Sequence, residues 1–184
     1  MIKTKQDLKR YLKSEKTLYI ALPRAWRFLA FFHLSEQSII WRYQTLLRRW
    51  EYHLNVKHRF RTIIYKLKCN KLGRKYGFHL HPNNFDEGLF IAHLGSILIN
   101  ESTRVGRNCC VHINTAMIAT RGTSDSPCLG DNCKIGVGAI LVGGIELGNE
   151  VVVGAGAVVT KSFKENHITI AGVPARIISH NAKI

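Results

Sequence analysis

Residues 129–160 read LGDNCKIGVGAILVGGIELGNEVVVGAGAVVT, and an aliphatic residue returns at every sixth position: Leu129, Ile135, Leu141, Leu147, Val153 and Val159. Glycine often follows it, at Gly130, Gly136, Gly148 and Gly154. Counting back at the same period gives Thr123, Met117, Val111, Val105 and Ile99, so ten of eleven positions are apolar. A fixed short period over this length marks a repeat architecture. Six residues form one side of a triangular prism, three sides make a coil of about 18 residues, and coils stack at roughly 4.8 Å. The pattern predicts a mainly β chain folded as a left-handed parallel β-helix. Spacing by 18 predicts three inward ladders: Ile99, Met117, Ile135, Val153; Val111, Leu129, Leu147; and Val105, Thr123, Leu141, Val159. Glycine beside a rung allows a positive φ or a crowded backbone.

The third ladder breaks in Arg121-Gly122-Thr123-Ser124-Asp125-Ser126-Pro127, a polar stretch with the composition of a loop. An external excursion is expected there, and loops on rigid scaffolds concentrate binding and catalysis.

The 184 residues are 46% hydrophobic, which fits a globular domain with an appendage. The most apolar run, Leu18 to Leu34, is interrupted by Pro23, Arg24 and Arg27, and Met1-Ile2-Lys3 opens no secretory signal. A cytoplasmic location is expected, with a peripheral place at the inner face of the membrane as an option. Charge is uneven: residues 1–76 hold 19 Lys and Arg against 4 Asp and Glu, and residues 77–184 hold 8 of each. That excess predicts attraction to an anionic surface, or a solvated cationic helix face. A nucleic-acid partner is not expected. Cys69, Cys109, Cys110, Cys128 and Cys133 match no zinc spacing and their odd count argues against a disulfide framework, so reduced thiols and no metal are expected. Cys110 and Cys128 would stack if the loop left the 18-residue register intact.

Residues 1–76 read as a basic helical segment. Ile39, Ile40, Tyr43, Leu46, Leu47, Trp50 and Leu54 recur at spacings of three and four after Ser35 or Ser38 as N-caps. Phe60, Ile63, Ile64 and Leu67 continue the period until Gly73 and Gly77. Residues 77–163 form the β-helix, irregular up to Gly95 and regular from Ile97. Residues 164–184 form a tail in which Ala171-Gly172-Val173-Pro174-Ala175-Arg176 turns the chain back along the last coil.

The hexad array, Val153-Gly154-Ala155-Gly156-Ala157-Val158-Val159-Thr160-Lys161 and the Ala171–Arg176 segment resemble the carboxyl half of hexapeptide-repeat acyltransferases. His81-Pro82 and Gly88-Leu89-Phe90-Ile91-Ala92-His93 are similar to serine O-acetyltransferases and their exopolysaccharide- and capsule-modifying relatives. The resemblance covers roughly residues 77–178. It implies acetyl-CoA as co-substrate, a homotrimer with sites between prisms, and His93 as the general base that deprotonates an acceptor hydroxyl. Imidazole suits that task because its unperturbed pKa is about 6.5. Register counted back from Ile99 turns His93 inward, and a one-residue slip at Gly95 turns it outward.

The chain departs from the serine acetyltransferase pattern at three positions. His79 and Ala92 stand where the family has aspartates, and Ser126 stands before Pro127 where it has a histidine. His79, Asp86 and Glu87 are the candidates to orient His93, with His79 the choice for a second catalytic residue. The resemblance also implies pantetheine contacts at Gly138, Ala139 and Ala155 and a phosphate contact at Lys161. Because the departures touch base orientation and acceptor recognition, the expected activity is acetyl transfer to a sugar hydroxyl in exopolysaccharide or capsule synthesis. Serine O-acetylation is the alternative, and a catalytically silent scaffold on anionic surfaces is the second.

Overall fold

The computed structural model describes residues 1–19, 35–121 and 123–182. Most of the Leu18 to Leu34 stretch, and Gly122 in the polar loop, therefore lie outside the described residues. Among the described residues, three helices come first. Helix α1 (Lys5–Tyr19) starts at a reciprocal cap: the Asp7 carboxylate accepts from the Thr4 N–H at 2.9 Å and the Thr4 hydroxyl accepts from the Asp7 N–H at 3.0 Å. Helix α2 (Glu36–Asn55) is capped by the Ser35 hydroxyl, which accepts from the Ser38 N–H at 3.2 Å. Helix α3 (Arg59–Tyr76) ends on Gly77, whose φ of 84° is the left-handed stop that glycine allows. Among the described residues, no helix is long and apolar enough to cross a membrane.

Fourteen short strands follow, stacked as three faces of a left-handed parallel β-helix. Face 1 holds β1 (Phe78–His79), β3 (Ile97–Ile99), β6 (Thr115–Ile118), β9 (Ile140–Val142) and β12 (Val158–Val159). Face 2 holds β4 (Arg104–Val105), β7 (Cys128–Leu129) and β10 (Glu146–Leu147). Face 3 holds β2 (Phe90–Ile91), β5 (Cys110–Val111), β8 (Lys134–Ile135), β11 (Val152–Val153), β13 (Thr169–Ala171) and β14 (Arg176–Ser179). Only β14 runs antiparallel, folding back on β13. Parallel stacking continues past Phe163 to the pair Val153↔Ile170.

Between Ile99 and Val159 the ladders differ from the 18-residue count in one respect. Pairs there beyond the loop obey it, as in Lys134↔Val152 and Ile140↔Val158. Across residues 119–127 the partners are 24 apart: Arg104↔Cys128, Cys110↔Lys134 and Ala116↔Ile140. The loop leaves the prism and absorbs one whole hexad, so Thr123 is exposed rather than a rung. The inward ladders are therefore Ile99, Met117, Leu141, Val159; Val105, Leu129, Leu147; and Ile91, Val111, Ile135, Val153, Ile170. Cys110 stacks on Lys134 instead of Cys128. Cys109 and Cys133 stack instead, with the Cys133 N–H donating to the Cys109 Sγ at 3.3 Å.

The helices close the N-terminal end of the prism. The Tyr19 hydroxyl accepts from the Ile91 N–H at 2.7 Å and donates to Gln44 at 2.8 Å, while Gln44 donates to the Leu89 carbonyl at 2.9 Å. Those bonds satisfy an edge that would otherwise be open. Beneath them Arg48, 1% exposed, meets Glu15 at 2.6 Å and Glu51 at 2.8 Å and donates to the carbonyls of Phe85 and Asp86 at 2.7 Å.

Candidate functional site

The chain turns from face 3 to face 1 once per coil, and those turns stack into one edge. Along it lie His93 to Gly95, His112 to Asn114, Val137 to Gly138 and Ala155 to Gly156. Backbone bonds tie the levels together: Gly138 N–H to the Ile113 carbonyl at 3.0 Å, and Gly156 N–H to the Val137 carbonyl at 2.8 Å. Gly95 meets Ile113 so closely that a Cβ there would lie 2.9 Å from the Ile113 Cγ2.

His93 is outward, with 59% of its side chain exposed. Both Ile97 and Ile99 point into the core, and Ile91 takes the inward position of the preceding side. Its Nδ1 lies 3.5 Å from Glu36 Oε1, the first residue of α2. The same Glu36 oxygen accepts from the Leu94 N–H, which pins the carboxylate over the turn that carries His93. An anionic side chain is favoured there because it caps the positive end of the helix. The His112 ring is 6.1 Å from that of His93, on the next coil. His112 is anchored by its N–H to the Ile135 carbonyl and by its carbonyl to the Thr115 hydroxyl. Burial first, and His93 second, lower its pKa, which favours the neutral ring.

The candidates for orienting His93 are engaged elsewhere. His79 lies on face 1, paired with Leu98, and its ring contacts His81 at 5.1 Å in a groove of about 670 Å³ beside α3. Asp86 accepts from the Tyr11 hydroxyl and the Met1 amino group, and Glu87 holds Arg10 at 2.9 Å, so both fasten α1. The expectation that His79 assists His93 is corrected here: the neighbouring carboxylate is Glu36 and the neighbouring imidazole is His112. Sequence reading passed over both because Glu36 reaches the site only through the docking of α2. His112 sits one residue past an inward rung, which gives no hint of function.

Gly138 and Gly156, with φ of 71° and 66°, stand one coil apart on the same edge as His93. A Cβ at Gly138 would meet nothing nearer than 3.9 Å and one at Gly156 nothing within 4 Å, so this part of the edge is smooth and open. Ala155 is exposed beside them. Ala139 is different: its side chain is inside the prism, 0% exposed, so no side-chain contact with a surface ligand is available to it. Lys161 lies on the next edge, between faces 1 and 2, where the loop of residues 119–127 also leaves. With Arg176, Phe163 and Pro174 it borders a pocket of about 420 Å³. Ser126 is held by its hydroxyl bond to Asn100 at 2.8 Å. Among the described residues, no group of three or more His, Cys, Asp or Glu could hold a metal ion.

Comparison with known proteins places this geometry. Residues 129–161 match the hexapeptide repeat of succinyl-transferase. The chain is similar to the serine acetyltransferase of Synechococcus elongatus, 32% identical over 105 residues, covering 55% of this chain and 43% of that one. It is similar to that of Buchnera aphidicola, 27% identical over 155 residues, covering 82% and 54%. The chain spans about half the length of these relatives. In structure it resembles serine acetyltransferase from Brucella abortus in complex with coenzyme A, with a TM-score of 0.74 and 21% identity, covering 96% of this chain and 70% of that one. The chain thus carries a hexapeptide repeat and is similar to serine acetyltransferases over about half their length. These relatives overturn the expectation of a sugar acceptor. The part of its basis that concerned the base also falls away: without aspartates at 79 and 92, His93 still has a carboxylate beside it, because Glu36 supplies one.

Proposed function

We propose that the chain is an acetyl-CoA-dependent serine O-acetyltransferase with His93 as its general base. The observation that carries this reading is the solvent-facing His93, with Glu36 at 3.5 Å on its Nδ1 side, on the same edge as the smooth Gly138 and Gly156 strip. Glu36 favours the tautomer with the proton on Nδ1, which leaves the Nε2 lone pair free. His93 Nε2 takes the proton of the serine hydroxyl as its oxygen attacks the thioester carbonyl. The C–S bond then breaks, and the leaving thiolate recovers that proton from the imidazolium. The products are O-acetylserine and coenzyme A. Such contacts tighten when substrate binds, so a separation of 3.5 Å in the free protein fits the role.

The donor would lie with its pantetheine arm against Gly138, Ala155 and Gly156, where no side chain intervenes. Lys161 and Arg176 suit its phosphates, and they sit on the next edge of the prism. A second copy joins those edges in this reading. Its support is face 1, whose outward residues Leu98, Ala116, Ile140 and Val158 stack as an apolar row, with Leu98 43% and Ile140 37% exposed. The corresponding row on face 2 is Arg104, Cys128 and Glu146. Packing of face 1 in a trimer covers the apolar row and brings one copy's loop and Lys161 to another's His93 edge. Thiol release from acetyl-CoA, measured with serine and with a panel of other amino acids and sugars, tests the acceptor. Saturable release with serine is expected, and release only with a different acceptor, or with none, refutes the reading.

A further inference from the structure

Helix α3 carries seven basic residues, Arg59, Arg61, Lys66, Lys68, Lys71, Arg74 and Lys75, and no acidic one. Among the described residues, none of the seven forms an ion pair with a carboxylate; Lys66, Lys68 and Lys75 lie over the rings of Trp50, Tyr65 and Tyr76 instead. The buried side of the helix is defined by Cys69 and Gly73, with Tyr65, Leu72 and Tyr76 packed against the core. On the opposite side Phe60, Ile63 and Leu67 follow the i, i+3, i+7 spacing of one helical row and are 78%, 57% and 63% exposed. Lys71 and Arg74 continue that row toward the C-terminus. A row of large apolar side chains left in water and bordered by unneutralised cations needs a partner with an apolar interior and an anionic rim.

We infer that the outward face of α3 docks on an anionic lipid bilayer, with Phe60, Ile63 and Leu67 entering the headgroup boundary and the cations meeting lipid phosphates. Charge complementarity selects this occupant. Two copies of α3 laid face to face would bring seven cations onto seven with no acid between them, which opposes self-association through this face. A bilayer of anionic lipid accepts both the apolar row and the charge. The inference stands apart from the acetyl-transfer reading, because α3 contributes none of the residues of the His93 edge.

Co-sedimentation of the full chain with phosphatidylcholine vesicles, and with equal parts phosphatidylcholine and phosphatidylglycerol, tests it. Binding to the anionic vesicles alone is expected, weakening as salt rises toward about 1 M, where the screening length falls to about 3 Å. Replacing Phe60, Ile63 and Leu67 together by serine should weaken binding by roughly tenfold or more. Lys68→Gln with Lys71→Gln and Lys75→Gln should weaken it by roughly fivefold per cation and flatten the salt dependence. All six positions are exposed, and far-ultraviolet circular dichroism checks that the helices remain. Failure to bind anionic vesicles, or equal binding by both variants and the parent chain, overturns the inference. So does a loss of self-association in the serine variant while vesicle binding is absent, which would assign the face to a second copy.

Discussion

Glu36 and the turn it holds are 58 residues apart in the chain, as counted to Leu94, yet one carboxylate oxygen serves both the Leu94 N–H and the His93 ring. In the proposed mechanism a group placed this way acts through the histidine. Glu36→Gln keeps the shape and removes the charge, so kcat with serine should fall roughly tenfold or more with little change in KM. A steady-state comparison of the two proteins over a range of serine concentrations checks this. His93 itself was legible in the resemblance of the Gly88–His93 stretch. Its orientation was not, since counting back from Ile99 reached the wrong inward residue: β3 places both Ile97 and Ile99 in the core. Glycine after the rung was legible too, with crowding as the reason it is required. A Cβ at Gly136 would lie 2.7 Å from the Ala155 nitrogen and the Val153 oxygen. The left-handed positions are taken instead by residues such as Asn108 and Asn132, with φ of 54° and 58°. Gly136→Ala should therefore destabilise the fold by about 1–3 kcal/mol in a chemical denaturation experiment.

At the scale of elements, hydrophobic period alone located the β-helix, but it could not tell a six-residue wall from a six-residue loop. Both preserve the count modulo six, so every apolar rung beyond residue 127 kept its inward place while moving to a different ladder. The docking of the helices was illegible for another reason: it rests on a buried ion network between residues distant in sequence. Burial opposes the charge of Arg48, and Glu15 and Glu51 more than offset it, leaving the guanidinium pKa raised. Arg48→Met would strand two buried carboxylates and should cost about 3–5 kcal/mol of stability. The pH dependence has a separate source. Burial lowers the pKa of His53, His81 and His112 below the ordinary imidazole value. The unfolded chain then binds more protons than the folded one, so their contribution is present above about pH 6.5 and is lost as pH falls through that value to the lower folded ones. Melting temperature should drop on moving from about pH 7.5 to about pH 5.5, and replacing the three histidines by glutamine should reduce that drop.

For the whole molecule, the proposed placement of donor and base groups on two edges of the prism would make the association of copies part of the chemistry. Leu98→Asp with Ile140→Asp puts charge into the apolar row of face 1, and should lower the mass seen by sedimentation equilibrium together with the turnover. An unchanged mass would remove face 1 from the interface. The acceptor was the part least legible in sequence: positions 79 and 92 lack the expected aspartates, while the carboxylate beside His93 comes from Glu36, on a helix outside the repeat. The most direct test is the formation of O-acetylserine and free coenzyme A by the purified chain and by its His93→Ala variant. The parent chain should form them in equal amounts, and the variant should be slower by roughly 10²- to 10⁴-fold with unchanged melting. Turnover of serine by the variant at the parent rate, or no serine-dependent turnover by the parent chain, would contradict the account.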